Sequence, residues 1–178
     1  MQPQVSMIGA SFNCGTKLNL SYIYSLNKKW TPLRYDRSKF PGLRARLLKS
    51  KTTALIFPSG YVSIIGVRSE DNAQKSAKEV VVILHSNGHK TARIKNFKIE
   101  SYCGFITTSN INLVELRNAY PLRASYETEL FPALQLNLHG KIFTIHHTGK
   151  IFSTGYKTLH QMNCYFREML TIINKFFK

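Results

Sequence analysis

Apolar, β-branched and aromatic residues crowd positions 52–57 and again 61–66, so both stretches predict strands, whose side chains point alternately to opposite faces. The link between them, Phe57-Pro58-Ser59-Gly60, has the residues of a tight chain reversal. Upstream, 7–12 and 43–48 read as strands and 19–26 as a short helix. The period then changes. Ala73, Ala77, Val80, Val81 and Leu84 recur at three- and four-residue spacing, which predicts a helix. Ser69 is its N-cap, Glu70 and Asp71 sit at the positive end of its dipole, and Asn87-Gly88 stops it. The second half repeats the order, with strands over 97–106, 133–138, 141–147 and 150–154, a short helix over 113–117 and a last helix over 158–176.

The repetition extends to local motifs. Phe40-Pro41 precedes T-T-A-L-I-F-P-S-G at 52–60, and Phe131-Pro132 precedes K-I-F-T-I-H-H-T-G at 141–149, about ninety residues further on, which is too long for a solenoid unit. The chain therefore reads as two repeats, 1–92 and 93–178, forming one intimately joined domain. Antiparallel strands with one long helix per repeat make an α+β fold with helices on one sheet face and the other face bare. Period two places Thr53, Leu55, Phe57, Tyr61, Ser63 and Ile65 on the bare side of the first repeat, and Thr144, His146, Phe152 and Thr154 on that of the second. A bare sheet face needs a partner.

Charge narrows the partner. The 178 residues include 25 Lys and Arg against 9 Asp and Glu, for a net charge of +16, and the pI is about 10.0. Such a balance points to a polyanion or an anionic membrane surface. The excess is uneven: residues 1–100 hold 17 basic and 5 acidic side chains, residues 101–178 hold 8 and 4. The aromatic content of 12% separates the chain from lysine-rich histone-like proteins. No apolar run approaches the length of about eighteen residues that spans a membrane, and residues 1–7 lack the order of a signal peptide, so a soluble, intracellular protein is expected. Cys14, Cys103 and Cys164 are expected as buried or half-buried free thiols. His85 and His89 lie four apart and His146-His147 are adjacent, yet no carboxylate or cysteine set completes a metal site or triad, and no phosphate loop is present. A binding protein without a cofactor is expected, not an enzyme. A pseudo-twofold protein suits a pseudo-twofold ligand such as duplex DNA.

T-T-A-L-I-F-x-S-G at 52–60, F-K-I at 97–99 and S-Y-E-x-E-L-F-P at 125–132 resemble the conserved core of the TATA-box-binding protein family, in the right order and near the family's repeat spacing. Ala124-Ser125-Tyr126 and Ala133 resemble its TBP-like-factor branch, which suggests a divergent paralogue. The resemblance implies a saddle of two pseudo-symmetric repeats, a curved ten-stranded antiparallel sheet with helices on the convex face and a concave underside in the DNA minor groove. In the family, two phenylalanines per repeat wedge between base steps. Phe40, Phe57 and Phe131 match three of them, and His146 stands where the fourth would be. Leu55 and Thr154 match groove-lining positions, whereas Gly9, Ser63, Ile65, Cys103 and Phe152 replace Val and Thr. Met7 and Ser101 replace the central asparagines that donate to A·T acceptors, and losing one such contact costs about 1–3 kcal/mol.

Arg46, Lys51, Arg68, Lys150 and Lys157 match phosphate-gripping positions, while Tyr61 and Asn137 replace basic ones. Glu127, Glu129 and Leu130 match the segment that receives general transcription factor IIB. Lys75, Lys78 and Glu79 are followed by the apolar stretch 80–84, so the family's factor IIA surface does not carry over intact. The family also forms homodimers through the exposed underside and works in the nucleus. Two readings follow. One is a core-promoter initiation factor with weakened or altered TATA recognition that recruits factor IIB. The other is a protein-interaction paralogue that binds general transcription factors without TATA-specific DNA binding, as competitor or alternative initiator.

Overall fold

The computed structural model describes residues 2–26 and 32–178. Among them are ten strands and four α-helices in the order β1 (Gln4–Asn13), α1 (Leu20–Leu26), β2 (Leu33–Arg34), β3 (Leu43–Leu47), β4 (Thr52–Ile56), β5 (Tyr61–Val67), α2 (Glu70–Ser86), β6 (Lys95–Thr107), α3 (Leu113–Ala119), β7 (Ala124–Ser125), β8 (Leu134–Leu138), β9 (Lys141–Ile145), β10 (Lys150–Tyr156) and α4 (Leu159–Ile173). They fall into two compact units, one of Met7–Glu100 and one of the residues on either side of it.

In the unit Met7–Glu100 the strands run antiparallel in the order β2-β3-β4-β5-β1. Alternation decides which side chains are buried. Leu43, Ala45 and Leu47 of β3 and Ala54 and Ile56 of β4 are buried, whereas Arg44 and Arg46 are exposed and Thr53 and Leu55 half-buried. Helix α2 packs on β3, β4 and β5 and buries Ala73, Ser76, Ala77, Val80 and Leu84, the stripe its spacing predicts save that Val81 is only half-buried. Ser69 caps it, its hydroxyl accepting from the Asn72 N–H at 3.2 Å.

The other unit has the order β6-β10-β9-β8-β7, again antiparallel. Helix α4, capped by the Thr158 hydroxyl, buries Met162, Phe166, Met169 and Ile173. Phe166 meets the fully buried Phe143 of β9 edge-on at 5.1 Å. A 3-10 turn, Asn174–Phe176, replaces the last residues predicted as helix.

The Gly60 and Gly149 that mark the duplication are held by one physical requirement. Their φ values are +85° and +80°, and a Cβ would collide with the Thr16 carbonyl at Gly60 or with Thr108 and Ser109 carbonyls at Gly149. Periodicity missed β2 and β7, because two residues are too few to show a period; the family resemblance implied ten strands. Cys14 and Cys103 are buried, but Cys164 is exposed, contrary to expectation, since it lies on the solvent side of α4.

Candidate nucleic-acid interface

The expected bare faces are present in each unit. In Met7–Glu100, Leu55 stands opposite Ser63 on β5 and Arg44 on β3, and Thr53 opposite Ile65 and Arg46. Strands β4 and β5 end in a turn closed by the Phe57 N–H donating to the Tyr61 carbonyl at 2.9 Å and the Gly60 N–H donating to the Phe57 carbonyl at 3.0 Å. That turn presents the half-buried Phe57 ring, which meets Phe40 edge-on at 5.7 Å and Tyr61 at 6.0 Å.

Phe40 arrives from a separate turn built by Asp36. The Asp36 carboxylate accepts from the Ser38 hydroxyl at 2.6 Å and the Ser38 N–H at 3.1 Å, and its carbonyl accepts from the Phe40 N–H at 2.9 Å. The Ser38 hydroxyl, chiefly, holds this carboxyl below its ordinary value of 3.8. Gly42 leaves room for the Phe40 ring, since a Cβ there would lie 2.7 Å from its edge. The Arg44 guanidinium sits 4.8 Å from the Phe40 ring centroid, a cation–π contact. Arg44 was missed in the sequence although its signal is plain: Leu43-Arg44-Ala45-Arg46-Leu47 puts both arginines on one face.

Arg46 donates to the Thr53 hydroxyl at 3.3 Å. Lys51 occupies φ +56° in the β3–β4 turn. Glu79 of α2 holds that turn, accepting from the Lys49 N–H at 3.1 Å, the Ser50 N–H at 3.0 Å and the Ser50 hydroxyl at 2.8 Å. Arg68 and Lys157 are both exposed and each directly precedes the N-cap of the long helix of its unit.

The second unit departs from the first. Phe131 is 44% exposed, and no ring stands against it among the described residues. His146 instead meets Phe152 edge-on at 6.0 Å, Phe152 stacks on Phe105 at 6.0 Å, and the Lys150 ammonium lies 5.2 Å from the Phe152 centroid. Phe105 pairs directly with Phe152 across β6 and β10, a register that no local pattern announces. Thr154 is exposed, whereas Cys103, expected to line the face, is 8% exposed, and burial raises its thiol pKa. Glu127, Glu129 and Leu130 are exposed in a turn whose Glu127 carbonyl accepts from the Leu130 and Phe131 N–H groups at 3.0 and 2.9 Å; Leu130 is 80% exposed.

Among the described residues no group of three or more His, Cys, Asp and Glu could hold a metal ion. His85 is used structurally, its Nε2 2.8 Å from the Ala92 carbonyl. No helix among the described residues is long and apolar enough to cross a membrane.

The family model described as "Transcription factor TFIID (or TATA-binding protein, TBP)" matches residues 2–87 and 96–176. The chain belongs to this family. TBP-family proteins are transcription initiation factors that bind DNA, not enzymes, and this chain is a general initiation factor of that kind. It is 30% identical to TATA-box-binding protein 1 of Arabidopsis thaliana, over 99% of this chain and 88% of that protein. It is 31% identical to TATA box-binding protein-like 2 of Rattus norvegicus, over 99% of this chain and 51% of that protein. Among solved structures, the Methanococcus jannaschii TBP is similar with a TM-score of 0.83 at 23% identity, covering 98% of this chain and 99% of that one. The fold is thus TBP-like: ten antiparallel strands and four helices, as the family resemblance implied.

Proposed function

We propose that this TBP-family chain binds the minor groove of promoter DNA in the nucleus with weakened or altered TATA recognition and recruits general transcription factor IIB. The observation that carries the reading is the Phe40–Phe57 pair, two half-buried rings in edge contact at 5.7 Å at one end of a bare sheet face, with the Arg44 guanidinium over the Phe40 ring. Apolar wedges beside cations suit a ligand that is unstacked and held by its phosphates. Altered recognition follows from Met7, which is 41% exposed and supplies no donor where the family donates to A·T acceptors. Phe131 and His146 act less as a pair than Phe40 and Phe57, because His146 is engaged with Phe152. Leu55 and Thr154 line the groove, and Arg46, Lys51, Arg68, Lys150 and Lys157 contact phosphates. The 80% exposed Leu130, flanked by Glu127 and Glu129, supports a factor IIB contact: an apolar side chain left in water on a hydrogen-bonded turn is suited to a protein partner.

Fluorescence-anisotropy titration against a TATA duplex and a G·C-rich duplex of equal length, at several salt concentrations, tests this. Binding whose logarithm falls with log salt at a slope of roughly −0.9 per phosphate neutralised is expected. No binding to either duplex would favour the second reading, a partner-binding paralogue without DNA recognition. The exposed Glu127–Leu130 turn is the observation that keeps this second reading alive.

A further inference from the structure

One row of the bare face in the unit that holds Ser101–Lys178 is aromatic. Phe105 of β6, Phe152 of β10 and Thr144 of β9 are register partners side by side, all half-buried, while their chain neighbours Ile106, Ile151 and Ile145 are buried on the opposite face. The Phe105 and Phe152 rings stack with centroids 6.0 Å apart and planes 29° apart, and His146 stands edge-on to Phe152. In the next row Lys150 pairs with Thr107, and its ammonium lies 5.2 Å from the Phe152 centroid. The fold does not require these rings. In Met7–Glu100 the matching ladder is Ser11 opposite Ser63 opposite Leu55, so the same sheet forms with small hydroxyls where this one holds two phenylalanines.

Rings left partly in water on an open sheet are unfavourable unless a ligand covers them. No carboxylate lies on β8, β9 or β10, or on β6 from Ser101 onward, so the charge beside the rings is positive. Stacked rings beside an ammonium, with no anion among them, match planar bases joined by phosphates. A base inside a duplex shows a groove protein its edge, because its faces are covered by its neighbours; an unpaired base offers the face itself. We propose that Phe105 and Phe152 form a stacking platform for unpaired bases of a DNA single strand, with His146 as a third ring and Lys150 against a phosphate. The strand is assigned as DNA because the chain belongs to a DNA-binding family. The inference goes beyond the minor-groove reading and does not need it, a duplex and a single strand occupying this face in turn.

The test is an anisotropy titration of the whole chain with labelled oligo-dT and with an abasic oligomer of the same length, which carries the same phosphates and no bases. Oligo-dT is expected to bind at least about tenfold tighter, the size of one stacked base. Phe105→Leu combined with Phe152→Leu keeps the apolar bulk, removes the π faces and is expected to bring that ratio near one. Ultraviolet cross-linking of oligo-dT to the wild type, read by mass spectrometry, should tag Phe105 or Phe152. A wild-type ratio near one with firm binding of both strands overturns the inference, because phosphates alone are then held. An unchanged ratio in the double variant, or cross-links confined to other residues, overturns it too, since the bases then stack elsewhere. Tighter binding of oligo-U than of oligo-dT overturns the assignment to DNA. Failure to bind either strand also overturns the inference and leaves the rings to a protein partner or a second copy of the chain. The minor-groove reading is judged separately, by the duplex titration above.

Discussion

Replacing Phe57 by alanine separates a ring held for binding from a ring held for folding. Burying and packing a whole phenylalanine contributes about 3–5 kcal/mol on truncation. Phe57 is half-buried and its packing includes the edge contact with Phe40 at 5.7 Å and a tilted contact with Tyr61 at 6.0 Å. Scaling by burial leaves a stability cost of about 2 kcal/mol, of which one aromatic pair supplies about 0.5–1.5 kcal/mol. Phe12 of the same unit, 1% exposed and paired with Val62, is the control and should cost the full 3–5 kcal/mol or so. Urea unfolding followed by circular dichroism gives both values, and anisotropy titration in the native baseline gives DNA affinity per folded molecule. Phe57→Ala is expected to lose at least about tenfold in DNA affinity, while any folded Phe12→Ala keeps its affinity. The reasoning fails if Phe57→Ala destabilises as much as Phe12→Ala, which would make Phe57 a core residue, or if it binds DNA as tightly as the wild type.

Gly60→Ala should destabilise by about 2 kcal/mol or more, because it combines left-handed strain with a clash on the Thr16 carbonyl, whereas Gly66→Ala, at φ +80° with nothing within 4 Å, should cost only about 1 kcal/mol; thermal melts of the two variants compare them. In the native protein one thiol, Cys164, should react with a chromogenic disulfide reagent, and the buried Cys14, whose pKa burial pushes up to about 11, and Cys103 should react only after unfolding. Asp36 has a folded-state pKa below its ordinary 3.8, so the order it lends the Phe40 turn is complete above about that pH and is lost as pH falls through the lower folded value. Asp36→Ala should therefore weaken DNA binding at neutral pH with little change in global stability, and equal affinity to wild type would show that Phe40 needs no such turn. Glu79→Ala should loosen the Lys51 turn, read as faster amide exchange at Lys49 and Ser50.

What the sequence determined by itself was local or repeated. Period two assigned Ala54 and Ile56 to the core and Leu55 and Phe57 to the bare face, because in a strand the side a residue takes depends only on parity. Ser69 and its helix, the Phe-Pro pairs and the turn glycines were equally legible, and the motifs at 52–60 and 125–132 carried the family. Parity also contained Arg44, though only the structure set it against Phe40. The two-residue strands β2 and β7 lay below the length at which a period exists and are defined by their partners β3 and β8. Register across strands far apart in the chain was decided by tertiary structure alone. It stacks Phe105 on Phe152, draws His146 to Phe152 while Phe131 stands without a ring partner among the described residues, and brings Glu100 to Ser11 across 89 residues of sequence. Such contacts depend on how strands are ordered and aligned in the sheet, and a pattern of neighbours along one strand holds no record of the neighbours across it.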